Sequence, residues 1–181
     1  MEFIKIDNTD SEEFKEAWEL YVSSFPSDER RTLPSQKESL RCPQYAFFRI
    51  LNNSTFAAII AVWHLEDFSF IEHFAVKKDI RSKGIGTGSL KEYLSKENKT
   101  IVLEVERPPS ENASNRITFY EKIGFALNTF EYLQPPYGKG KKPVPLFLMT
   151  YPNKISESEF LSIRSTLHTV VYGLKEPHWD E

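Results

Sequence analysis

The chain has a single cysteine, Cys42, among 181 residues, so no internal disulfide can form and packing must hold the fold. No charge of one sign dominates. The balance of 23 Lys+Arg against 26 Asp+Glu gives a formal charge of -3, which supplies no basic field to grip a nucleic-acid backbone or an anionic membrane. Neither is expected as a partner. The longest apolar run, Ala57 to Val62 with Trp63 after it, is far short of the roughly 20 residues of a membrane span and reads as a buried strand. The opening MEFIKIDNTD lacks the basic-then-apolar plan of a signal peptide, which with the lone cysteine predicts an intracellular, cytoplasmic protein. Repeats and low-complexity linkers are also missing. What is present has globular proportions: 40% hydrophobic, 27% charged and 14% aromatic residues. That excludes a disordered tail or a coiled coil and predicts one core.

Period and punctuation predict the elements. Phe3 to Ile6 alternates as a strand; Thr9-x-x-Glu12 caps a helix whose stripe is Phe14, Ala17, Trp18, Tyr21 and Val22. A polar loop from Phe25 to Arg31 follows, and Ser35-x-x-Glu38 opens a short helix that Pro43 stops. Tyr45 to Leu51, Thr55 to Leu65 and Phe68 to Lys77 are rich in aromatic and β-branched residues, and the turns between them make an antiparallel meander. The pattern then alternates: helix Gly86 to Ser95, strand Ile101 to Glu106, helix Ala113 to Ile123 ended by Gly124, strand Phe125 to Tyr132. After the Pro135 to Pro143 loop come a strand, Val144 to Tyr151, and a helix capped by Ser156 and Glu159. The apolar stripe of that helix is Phe160, Ile163, Leu167, Val170 and Val171.

Chemistry concentrates where the strand ending in Phe74, Ala75 and Val76 runs into the basic, glycine-rich turn Arg81-Ser82-Lys83-Gly84-Ile85-Gly86-Thr87 at a helix start. Glycines let a backbone approach an anion closely, and the free amides and dipole of the helix N-terminus attract phosphate. Lys77, Lys78, Arg81 and Lys83 add full charges. No Lys-Ser or Lys-Thr follows the glycines, and Gly84-x-Gly86-x-Gly88 lacks the final glycine of a dinucleotide fingerprint.

Arg81-Ser82-Lys83-Gly84-Ile85-Gly86 resembles the Arg/Gln-x-x-Gly-x-Gly/Ala signature of the GNAT acyltransferase superfamily, and Asn115 to Phe125 is similar to its second signature. The resemblance covers roughly Phe3 to Tyr151 and implies an α/β fold, a mixed, mostly antiparallel seven-stranded sheet flanked by helices. It implies a bacterial-type acetyltransferase domain over residues 1–152; residues 153–181, beyond the resemblance, read from their apolar stripe as a C-terminal helix packed on that domain or at a homodimer contact. It also implies acetyl-CoA as co-substrate and an amine of a small molecule or peptide as acceptor. The amides of Arg81, Ser82, Lys83, Gly84, Ile85, Gly86 and Thr87 would then hold the pyrophosphate, with Phe74, Ala75 and Val76 beside the pantetheine arm. Asn115 matches the family's cofactor-contacting asparagine. Tyr120 matches the residue that contacts the cofactor and protonates the departing thiolate, and a phenol remains protonated at neutral pH. The loops Phe25 to Arg31 and Gln134 to Tyr137 would shape the acceptor site.

An amine acceptor must lose a proton, and Glu72 is the expected general base, because alternation sets it on the same strand face as Phe74 and Val76. Glu104 and Glu106, alternating on a later strand, could share that work or bind a cationic substrate. His73 should face away from Glu72; His64, His168 and His178 are scattered, so no metal is expected. A non-catalytic acyl-CoA-binding module is the competing reading, against which Tyr120 argues.

Overall fold

Four strands build the first part of the sheet in this computed structural model, which describes residues 1–108 and 111–174. β1 (Glu2–Lys5), β2 (Tyr45–Asn52), β3 (Thr55–His64) and β4 (Phe68–Val76) pair antiparallel in that order. Two helices, α1 (Glu12–Ser24) and α2 (Leu33–Ser39), separate β1 from β2, with a 3-10 turn at Ser27–Glu29 between them. After β4 come a 3-10 turn at Lys78–Ile80, α3 (Ile85–Leu94), β5 (Thr100–Glu106), α4 (Glu111–Ile123), β6 (Ala126–Gln134), β7 (Val144–Tyr151) and α5 (Glu157–Thr166), whose last turn widens to a π-helix at Leu167–Val171. The sheet is mixed and seven-stranded, in the order β1-β2-β3-β4-β5-β7-β6, as expected. No helix among the described residues is long and apolar enough to cross a membrane.

The chain gathers into two compact units, Met1–Val102 and Leu103–Glu181, with the boundary inside β5. In the first unit α1 buries Phe14, Ala17 and Tyr21, and β3 is buried from Ala57 to Trp63. That continuous run explains why the segment shows no alternation in sequence: neither of its faces meets water. In the second unit Gly124 ends α4 at φ 114°, and a Cβ there would stand 3.2 Å from the Tyr151 ring. A side chain at that position would be both strained and crowded.

The helix caps differ from expectation in detail. Asn8 accepts from the Asp10 amide and the Ser11 hydroxyl, and this turn delays the helix, so that Ser11 rather than Thr9 caps α1 by accepting from the Phe14 amide. Thr32, not Ser35, caps α2 and accepts from the Ser35 amide. Ser156 and Glu159 form the reciprocal cap of α5 that the sequence predicts. Of the stripe that follows, Phe160, Ile163, Leu167 and Val171 are buried, whereas Val170 is exposed because the π turn rotates it outward. Residues 175–181, including His178, lie outside the described residues.

Candidate active site

Within the first unit, β4 delivers the chain to the glycine-rich turn. Phe74 and Val76 are half-buried, Ala75 is buried, and all three pair with β3. Arg81 to Gly84 are exposed, and Ile85, Gly86 and Thr87 are half-buried. Ser82 (φ 64°) and Gly84 (φ 76°) both adopt the left-handed conformation, which folds the chain sharply into α3. Gly84 is the N-cap, and its carbonyl accepts from the Gly88 amide at 2.9 Å, so the amides of Ile85, Gly86 and Thr87 precede the first bond of the helix. A Cβ on Gly84 would meet nothing within 4 Å. The backbone is therefore open to an approaching anion. Arg81 donates through Nε to the Val76 carbonyl at 3.0 Å, which ties the turn back to the strand end and leaves the rest of its guanidinium at the exposed turn. Lys77 is turned elsewhere, its Nζ 5.7 Å from the Phe56 ring centroid.

Glu72 occupies an unexpected setting in the same unit. His73 pairs with Ala61 and Ile71 with Val62, so Glu72 is the extra residue of a β-bulge. The bulge cancels the alternation assumed from sequence. Glu72 and His73 do not face apart; Glu72 Oε2 lies 3.7 Å from His73 Nδ1, and both side chains reach the 27–31 loop. Arg31 donates to Glu72 through Nη2 at 2.6 Å and Nε at 3.4 Å, with side-chain exposures of 8% for Arg31 and 0% for Glu72. Burial alone would raise this carboxyl's pKa; the Arg31 charge, with the hydrogen bond and charge of His73, overrides burial and brings it to about 2. The Arg31 fork engages both carboxylate oxygens, so the general-base role that the sequence suggested would require this pairing to open.

The second unit holds Tyr120 and Asn115 on α4. Five residues on a helix turn through about 140°, so the two do not share a face; Tyr120 is buried and Asn115 exposed. The Tyr120 ring packs edge-on against Phe119 and Phe125. Burial pushes its hydroxyl up to about 12, with Arg116 pulling the other way. That hydroxyl has no hydrogen-bond partner among the described residues. Sequence reasoning missed a second cluster here. Glu104 accepts from Tyr132 Oη and from Tyr172 Oη at 2.9 and 2.8 Å, and the Tyr137 and Tyr172 hydroxyls stand 3.4 Å apart. Glu106 faces Arg116 at 3.9 Å. Cys42 is a half-buried free thiol, and no group of three or more metal-ligating side chains gathers among the described residues.

The model of the Acetyltransferase (GNAT) family matches residues 12–125, more than half of the chain. The chain belongs to the GNAT acetyltransferase family. A Bacillus subtilis (strain 168) protein named as the acetyltransferase YjbC is 27% identical over 124 residues, 67% of this chain and 64% of that one, so the match spans just under two thirds of that relative. A Bacteroides thetaiotaomicron structure described as a GNAT-family acetyltransferase is 36% identical, with a TM-score of 0.92 over 97% of this chain and 100% of the other. An aminoglycoside 6'-N-acetyltransferase complexed with coenzyme A has a TM-score of 0.58 at 14% identity, over 87% of this chain and 100% of that one. At that identity the likeness shows the fold alone. Membership of the GNAT acetyltransferase family, which the two motifs implied, is the assignment these findings give.

For a GNAT protein the resemblance located the glycine turn from local sequence, because every residue that shapes it is contiguous. Arg31, Tyr132 and Tyr172 escaped notice because each acts on a glutamate far along the chain. The one signal available was Arg30-Arg31 in a loop already marked for the acceptor side.

Proposed function

We propose that this protein transfers an acetyl group from acetyl-CoA to an amine of a small molecule or a peptide. The observation that carries the reading is the Arg81–Thr87 turn, in which left-handed Ser82 and Gly84 present open backbone and three leading helix amides beside Arg81 and Lys83. These residues fit a pyrophosphate: amide donors at a helix start, a partial positive dipole and flanking bases. Phe74, Ala75 and Val76 lead the strand into that turn and are proposed to flank the pantetheine arm, with Asn115 as a further cofactor contact. When bound, acetyl-CoA supplies an activated thioester. Tyr120 is proposed as the general acid: its hydroxyl is held protonated by burial and is not committed to another group. Glu72 is assigned to the site without the role of direct base. Residues 1–152 form the proposed transferase domain, with 153–181 added to it, and a cytoplasmic location is part of the same reading.

Calorimetry with acetyl-CoA tests the reading. Gly86→Asp places a side chain and a negative charge at the second helical amide, and should weaken binding by at least about tenfold, or 1.4 kcal/mol, while the protein stays folded. Parent-like affinity in that variant removes the turn as the phosphate site. Thiol release from acetyl-CoA in the presence of primary amines, followed by mass measurement of the amine, checks the transfer itself.

A further inference from the structure

The second unit holds a cavity of about 610 Å³, a size at which small ligands are bound. Neither Asn115 nor Tyr120 is among the described residues that line it. Pro135, Pro136, Pro143 and Pro145 give it an apolar wall, and the charged groups along it are Arg107, Arg164 and Glu131. Both guanidiniums are held in place. Arg107 donates through Nε to the Leu146 carbonyl and through Nη2 to the Tyr132 carbonyl, each at 3.0 Å, and its guanidinium carbon lies 4.9 Å from the centroid of the Phe147 ring. The guanidinium carbon of Arg164 lies 5.6 Å from the centroid of the Phe160 ring, which itself stacks on Phe130 at 4.8 Å.

The cavity is short of negative charge. Glu131 is 97% exposed, and its carboxylate stands 4.0 Å from Arg107 Nη1, beyond hydrogen-bond distance and open to screening by water. His168, buried on the π turn, brings a neutral imidazole: burial first and the Arg164 charge second lower it to about 4, against a hydrogen bond with the Leu133 backbone. Two arginines therefore share the cavity with one solvated carboxylate. Guanidinium forks match carboxylate and phosphate alike, but a phosphate cradle draws on backbone amides, and proline has no N–H to give. The four prolines offer flat apolar surface instead. We propose that this cavity is a second ligand site, which takes a small aromatic carboxylate with its acid group on Arg107 and Arg164 and its ring against the prolines. Such a ligand is an acid, not the amine that the transfer consumes, and its binding does not rest on the transferase reading.

Calorimetry on the full chain, with benzoate, phenylacetate and indole-3-acetate as probes, tests the site. At least one of these acids should bind with one-to-one stoichiometry, about tenfold or more tighter than its neutral amide and than phenethylamine, acetate or inorganic phosphate. Arg164→Gln, which keeps a long polar side chain and removes the charge, should weaken that acid by about tenfold or more. The His168 ring signals in the NMR spectrum should move as the acid is added. Should Arg164→Gln fail to fold, the comparison of acid with amide in the parent chain carries the test. No binding by any of the three acids overturns the proposal. So do parent-like affinity in Arg164→Gln, unmoved His168 signals, or an amide, amine or phosphate that binds as tightly as the acid. Gly86→Asp should bind the acid as the parent does, because that turn lies in the first unit. Loss of binding there would move the acid to the phosphate turn and overturn the second site. A parent that binds the acid and no acetyl-CoA would instead remove the transferase reading and leave the cavity's role standing.

Discussion

Glu72 and Glu104 are both strand glutamates that sequence alone offers as candidates for the same proton-transfer work, yet the two units hold them in opposite ways. Glu72 is sealed from solvent and meets a full positive charge, Arg31, supplied from 41 residues earlier. Glu104 is half-buried and, among the described residues, accepts from the hydroxyls of Tyr132 and Tyr172. A guanidinium pair is close to all-or-none, because removing one ion leaves the other uncompensated in a poorly solvated place. A carboxylate served by two phenols can lose one donor and keep the other. Glutamate in a strand therefore says little about its chemistry until the partners are known; the ion pair suits fixing a loop, and the phenol cluster suits gathering β5, β6 and the C-terminal segment.

Removing the charge from one member of the ion pair is the severest way to break this comparison. Arg31→Leu should cost about 3–5 kcal/mol by urea unfolding, and Arg31→Leu with Glu72→Leu should recover most of it. A loss under 1 kcal/mol for the single variant would show that the pair is not a buried ionic contact. Acid gives a second route of nearly the same size. A carboxylate whose folded pKa lies below its unfolded value stabilises the fold above the unfolded pKa, and that contribution fades as pH falls through the folded one. For Glu72, depressed from 4.5 to about 2, about 3 kcal/mol should drain away over that window at 1.36 kcal/mol per pKa unit. Denaturant midpoints measured from pH 5 to 2 should show the decline in the parent and a flatter profile in Arg31→Leu.

The legible parts of the molecule were those whose cause is local. The capping box of Ser156 and Glu159, the αL glycines that end α4 and open α3, and the meander of β2 to β4 all follow from residues within a few positions of one another. The bulge at Glu72 was not legible, because it is set by pairing with β3 and reverses what alternation predicts for His73. Arg31 with Glu72 and Tyr172 with Glu104 are separated by 41 and 68 residues, and no periodicity links such pairs. The π turn at Leu167–Val171 likewise depends on packing, not on any breaker residue, and it exposes Val170 out of an apparently continuous stripe.

The phenols of the second unit sharpen the contrast from another side. Tyr132 and Tyr172 spend their hydroxyls on Glu104, whereas Tyr120 keeps its own unbonded among the described residues. Tyr120→Phe should therefore leave the unfolding midpoint and acetyl-CoA affinity nearly unchanged, since no hydrogen bond is lost. The chemical step in single-turnover transfer should slow by about 100-fold, equivalent to about 2.7 kcal/mol in the barrier, as expected for a lost general acid. A parent-like rate would take Tyr120 out of the mechanism and strengthen the case for an acyl-CoA-binding module.

The smallest expected effect belongs to the carboxylate that the Tyr132 and Tyr172 phenols serve among the described residues. Tyr172→Phe deletes one hydroxyl that reaches both oxygens of Glu104, while Tyr132 continues to donate to the same carboxylate. The cost should be about 1 kcal/mol, the net worth of one hydrogen bond, lowering Tm by roughly 2–4 °C for a chain of this size. Tyr132→Phe should cost more, because Tyr132 is 1% exposed and its loss leaves Glu104 with the less buried of its two phenols. Thermal unfolding of the two variants and the double Phe variant measures how the donors share the carboxylate. If Tyr172→Phe alone destabilised the protein as much as Arg31→Leu, the two glutamates would be held with equal rigidity. The distinction between an ionic pair and a tolerant phenol cluster would then fail.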